Sequence, residues 1–257
     1  MSVGNRGWRR FSRKERLARF AVYVAYAASL LEITWERFYA GLGHGARFVG
    51  RMVPPDFSRW ELLARDLAES VEIAVLASFF GILIALPIGL LAARNMMPLW
   101  VTWPARALIA VCRSFHPVIV AIVFVKAVGF GALAGILALI VASVGFIAKL
   151  FAEAIEEISM KQVEAVRATG APFMNVVTFG VLPQVLTRFI GFSSYQLDSN
   201  FRVSTVVGIV GGGGIGGTLF AAFQRFDYDF VSAILLAIIG LIMVVEVFSA
   251  RLRATFQ

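Results

Sequence analysis

The chain has one cysteine, two histidines and few charges. Cys112 stands alone inside an apolar stretch, so neither a disulfide framework nor a cysteine-based zinc cluster can be built. It reads as a small buried side chain. His44 and His116 lie in separate regions and have no paired acid, base or nucleophile nearby in sequence. An enzyme working inside the membrane needs such partners within reach of one another, so that class is disfavoured. Glu153, Glu156 and Glu157 have no histidine beside them, and a solvated, partner-facing helix surface explains them better than a metal site. Charged residues make up only 16% of the 257, well below a soluble domain. No repeat of 20–50 residues is present, which excludes solenoids.

What is abundant is apolar. Hydrophobic residues reach 59%, and the mean hydropathy is +0.81. The expected fold is therefore all-α and polytopic in a membrane, one domain over residues 1–257, because a span takes about 20 apolar residues. Six spans are expected: Leu17–Trp35, Val71–Ala93, Ala107–Val128 with an interruption at His116-Pro117, Ala132–Ala148 closed by Lys149, Gln184–Val207, and Phe230–Phe248. Glu32 and Trp35 mark the far end of the first. Residues 36–69 form a segment on the outer side, where Phe57, Trp60, Leu63 and Leu67 repeat at near-helical spacing and suggest a surface helix. Residues 151–183 are charged and face water.

The net charge is +8, and the first 19 residues hold seven basic residues against Glu15 alone. A basic head before an apolar run places the amino end in the cytoplasm as an uncleaved anchor. Six spans then place the carboxyl end there too, and Arg94, Arg106, Lys149, Lys161, Arg167, Arg251 and Arg253 all fall on the same side. A basic arm for nucleic acid is the weaker reading, since no nucleic-acid motif follows it.

The water-facing stretch contains Glu164-Ala165-Val166-Arg167-Ala168-Thr169-Gly170 and then Gly180-Val181-Leu182-Pro183. This resembles the signature loop of ABC importer permeases: E-A-A, three residues, G, nine residues, I-x-L-P. Val166 stands where the pattern has its second alanine, and Gly180 where it has isoleucine. A permease cannot hydrolyse ATP, so motion enters from a soluble partner, and a short helix with small residues and an acid suits docking in that partner's cleft. Gly170 supplies the turn between two short helices. Leu182-Pro183 is expected to end the second before the fifth span.

Other strings narrow the likeness. Pro54-Pro55-Asp56-Phe57-Ser58-Arg59-Trp60, Ser199-Asn200-Phe201-Arg202-Val203-Ser204-Thr205 and Gly211-Gly212-Gly213-Gly214-Ile215-Gly216 are similar to phosphonate-type importer permeases. The resemblance covers about residues 53–254. It implies a type I ABC importer permease in the bacterial inner membrane, working as a homodimer with two ATPase subunits and a periplasmic binding protein. It further implies that ATP and Mg are bound by the ATPase subunits, with no cofactor or metal in this chain, and that phosphonate, phosphite or phosphate is carried. Coupling falls to Glu164, Ala165, Gly170, Leu182 and Pro183. An importer for another small solute such as methionine is the alternative. An ion-coupled secondary transporter is another, though it would bring inverted repeats and a midplane acid cluster.

The fifth span is unusually polar. Asp198 and Arg202 are four apart and share a helix face, and ionisable groups inside a span point to a pathway by default. Asp198, Asn200, Arg202, Ser204, Gly211, Gly213 and Gly214 are therefore the expected pathway residues. Gly211-x-Gly213-x-x-Gly216 formally fits a dinucleotide loop, but no βαβ setting surrounds it. A broken or re-entrant backbone lining a cavity, or close helix packing through glycine, explains it better.

Overall fold

The computed structural model describes residues 13–30 and 34–256. The basic head before residue 13 and Glu32 lie outside the described residues. Eleven α-helices and one π-helical turn make up the described chain, and no strand occurs among the described residues.

The chain divides into two compact units, residues 1–53 and 54–257. In the first, α1 (Arg13–Leu30) and α2 (Trp35–Gly50) meet at a bend of 59°. Thr34 caps α2 by accepting from the Arg37 amide. Trp35 thus begins a second helix instead of closing the first span.

The second unit holds α3 (Trp60–Ala92), α4 (Leu99–Ser114), α5 (Pro117–Val128), α6 (Ala132–Glu156), α7 (Met160–Ala168), α8 (Phe173–Val176), α9 (Leu182–Ile209), α10 (Ile215–Gln224) and α11 (Tyr228–Phe256). Among the described residues, four stretches are long and apolar enough to cross a membrane, and the count reaches six if each bent pair is one span.

Small residues organise this unit. Ala74, Ala77, Ser78, Gly81, Ala85, Gly89 and Ala92 recur every three or four positions along α3 and are buried. Lipid tails are as apolar as leucine, so helices in a membrane gain by close backbone approach along such a stripe. A Cβ at Gly81 would stand 2.5 Å from that of Ser143, which shows how near α3 and α6 come. The same seam carries polar side chains. Asn200 of α9 donates to Ser78 and Ser143 at 2.9 Å each and accepts from Gln196 at 2.9 Å. Gln196 also donates to Ser143 at 3.0 Å. This buried network pins three helices in one register.

Three expectations are corrected. Phe57–Leu67 does not form a separate surface helix, because Trp60 starts a helix of 33 residues that runs unbroken into the second span. Lys149 does not close the fourth span: α6 continues to Glu156, and Phe151, Ala152, Ala154 and Ile155 are buried in its last turns. The interruption expected in the third span at His116-Pro117 is present, as two helices bent by 91°. Phe115 and His116 are both extended there, as the residue before a proline prefers, and His116 Nδ1 accepts from the Val118 amide at 3.3 Å.

The third correction concerns Leu182-Pro183, which does not end the second loop helix. α8, the π-helical turn Val177–Val181 and α9 follow one another without a break, and Pro183 sits in the first turn of α9. Proline lacks an N–H and crowds the carbonyl four residues back, and a π turn makes room for it. The Gln184 side chain donates to the Gly180 carbonyl at 2.6 Å.

Candidate coupling loop and translocation site

α7 is a two-sided helix. Val163 is fully buried and shares an apolar cluster with Phe151, Ile155, Val176, Val181 and Val185, against which Met160 and Val166 pack. Glu164, Ala165, Arg167 and Ala168 face outward. Glu164 makes no ion pair among the described residues. The helix ends at Thr169. Gly170 then turns the chain with φ +76°, its amide donating to the Arg167 carbonyl at 3.0 Å. An L side chain pays about 1–2 kcal/mol to adopt that conformation.

The mount beneath α7 is stiff. Glu156 Oε1 accepts from the Arg94 amide at 2.8 Å and from Arg106 Nη2 at 2.6 Å, while Arg106 Nε donates to the Ala92 carbonyl at 2.9 Å. Asn95 donates to the Ile155 carbonyl at 2.7 Å. The Gln184 side chain accepts from the Ser159 amide at 3.0 Å, and Arg188 pairs with Glu157. The ends of α3, α4, α6 and α9 are thus tied at the base of α7. Of the expected coupling residues, Glu164, Ala165 and Gly170 lie on the open loop, while Leu182 and Pro183 lie at its root.

The expected pathway residues separate into three places. Asp198 and Arg202 pair at 2.6 Å. They line a cavity of about 900 Å³ with Phe146, Tyr195, Arg188 and Glu246. Asp198 Oδ1 is buried without a hydrogen-bond partner. Asn200 and Ser204 are instead sealed in helix packing, each 1% exposed. Gly211, Gly213 and Gly214 form the turn from α9 to α10, all with positive φ. Ser70 accepts from the Ile215 amide at 2.8 Å, and the Gly131 amide donates to the Gly211 carbonyl at 3.0 Å, fixing this turn on α3 and α6. A Cβ at Gly213 would lie 2.7 Å from both the Ala132 amide nitrogen and Glu69 Oε1, so backbone crowding alone requires glycine there.

Glu246 escaped the sequence reading. Its signal was available: it is the lone acid in the apolar run of α11. The Ser78–Ser143–Gln196–Asn200 network had no comparable signal, since serines in spans are common.

A bundle of membrane-length helices with an outward-facing helix at one end fits a membrane transport component. Residues 85–256 match the family described as binding-protein-dependent transport system inner membrane component. The chain belongs to this family. It is 38% identical over 251 residues to the phosphite transport system permease protein PtxC of Stutzerimonas stutzeri, covering 97% of this chain and 90% of that protein. It is 38% identical over 252 residues to the phosphate-import permease protein PhnE of Mycolicibacterium smegmatis, covering 94% of this chain and 47% of that one. Among solved structures, the MetNI methionine ABC transporter in inward-facing conformations matches with a TM-score of 0.69 and 24% identity, over 79% of this chain and 99% of that one. That last likeness is one of fold. The relatives are named as transport permeases, and none of these names describes an enzyme.

Proposed function

We propose that two copies of this chain form the membrane core of an ATP-driven importer for phosphonate or a related phosphorus oxyanion such as phosphite or phosphate. A binding protein delivers the oxyanion outside, and two ATPase subunits sit inside against α7. Both chain ends and the loop at 157–181 lie on the cytoplasmic side, and the glycine turn lies on the outer side. The carrying observation is α7 itself: Glu164, Ala165 and Ala168 are open to a partner, while Val163 is locked onto the bundle. Force applied to the open face passes through the Glu156 and Gln184 contacts into α3, α4, α6 and α9 together. The names of the relatives support the oxyanion class.

Asp198 and Arg202 face the route in this reading. A guanidinium matches a tetrahedral oxyanion in a fork, and Asp198 holds it in place.

The test is reconstitution of the whole complex in vesicles with radiolabelled phosphite, methylphosphonate or phosphate. Uptake should require ATP and the binding protein and should ignore uncouplers. Arg202→Ala should lower uptake with normal membrane levels of protein. Uptake abolished by uncouplers with ATP present would make the chain an ion-coupled transporter.

A further inference from the structure

A second cavity, of about 260 Å³, opens between α3, α4 and α6, and Arg106, Arg113, Lys149 and Glu153 line it with Ala110 and Ala152. Two of its cations are spoken for. Arg106 pairs with Glu156 at 2.6 Å and Lys149 with Glu153 at 2.6 Å. Arg113 has no carboxylate partner among the described residues. The cavity therefore keeps one surplus positive charge. The cavity around Arg202 does not, since Asp198 pairs with that arginine and Glu246 adds a second acid.

The setting of Arg113 makes this surplus informative. Arg113 lies across from Gly145, whose missing side chain seats the arginine stem: a Cβ there would be 2.8 Å from Arg113 Cγ. An unpaired guanidinium on a membrane-spanning stretch is costly unless an anion or water-filled cavity receives it. Its planar fork suits the oxygens of a phosphate group better than a point charge would, and Lys149 and Arg106 add field from the cytoplasmic side.

We infer that this cavity is a phosphate-class oxyanion site, with Arg113 as its main ligand and Lys149 and Arg106 as flanking charges. Two sources offer that chemistry: the transported oxyanion on its way inward, and the phosphodiester of an anionic lipid in the inner leaflet. The first source rests on the importer reading above; the second does not.

The experiment uses the permease with its ATPase and binding protein, as wild type, Arg113→Gln and Arg113→Lys. One arm measures retention of phosphatidylglycerol against phosphatidylcholine by native mass spectrometry. The other measures phosphite uptake into vesicles made only of phosphatidylcholine. A lipid site predicts about five-fold lower phosphatidylglycerol retention in R113Q, the scale of one membrane-facing charge. A transit site predicts uptake reduced about five-fold or more in R113Q and restored in R113K, with no anionic lipid present. R113Q matching wild type in both arms overturns the site. Should R113Q not assemble, the wild type decides: no preference for phosphatidylglycerol, and no thermal shift by inorganic phosphate beyond that of chloride at equal ionic strength, also overturns it. Absence of wild-type phosphite uptake would count against the importer reading alone, leaving the lipid arm to decide the site.

Discussion

Val166 and Gly180 are the two positions where the proposed coupling loop departs from the family pattern, and they face each other. A Cβ at Gly180 would stand 3.3 Å from Val163 Cα and 3.7 Å from Val166 Cγ2. Valine in place of alanine adds two carbons on α7, and glycine in place of isoleucine removes four on the π turn, so α7 closes onto the space. Gly180→Ile should therefore overpack this contact. The neighbour on one side is backbone, which cannot rotate away, so the cost is about 1–3 kcal/mol. A loss of 1–2 kcal/mol raises the population of undocked α7 by about 5–30-fold. The assay is oxyanion transported per ATP hydrolysed by the reconstituted complex, alongside amide exchange over residues 160–169. Gly180→Ile should lower the ratio and speed the exchange, and Gly180→Ala, which adds the Cβ alone, should do both to a smaller degree. Val166→Ala combined with Gly180→Ile should recover most of the loss, since neighbours that share space are not additive. Unchanged coupling and exchange in Gly180→Ile would refute the packing argument. So would a double variant no better than the single one.

Asn200→Leu removes a side chain that donates to two serines and accepts from Gln196, and should destabilise the bundle by about 1–3 kcal/mol at the measured scale of intramembrane hydrogen bonds; denaturant titration in detergent checks this. Before α3, the Ser58 amide and hydroxyl, followed by Arg59, hold the Asp56 carboxyl below its ordinary value of 3.8. A lowered carboxylate pKa contributes stability that is complete above the ordinary value and lost as pH falls through the lowered one. Protease cutting near residues 54–60 should thus be flat from neutral pH down to about 5 and rise only below about 4, and Asp56→Asn should cut readily throughout.

Composition and charge placement determined the solvent and the all-helical, many-span class. These are local properties: burying 20 apolar residues in lipid needs no knowledge of the neighbours. The Glu164–Gly170 spacing was legible for the same reason, because a short helix and its glycine turn are written in consecutive residues. The pairing of Asp198 with Arg202 was legible too, since a helix sets the distance between positions four apart. The unbroken helix through Pro183 was not legible. A proline reads locally as a stop, and only the π turn and the Gln184 side chain let the chain continue.

Tertiary structure alone decided which polar groups are used up in packing. Asn200 and Arg202 are two residues apart, yet one is sealed among serines from α3 and α6 and the other opens on a cavity. Likewise Arg106 and Arg113 share a helix, but among the described residues only Arg106 meets a carboxylate, supplied by Glu156 fifty residues on. Partnership between distant side chains depends on how helices dock, and one helix carries no record of the face its neighbour will bring.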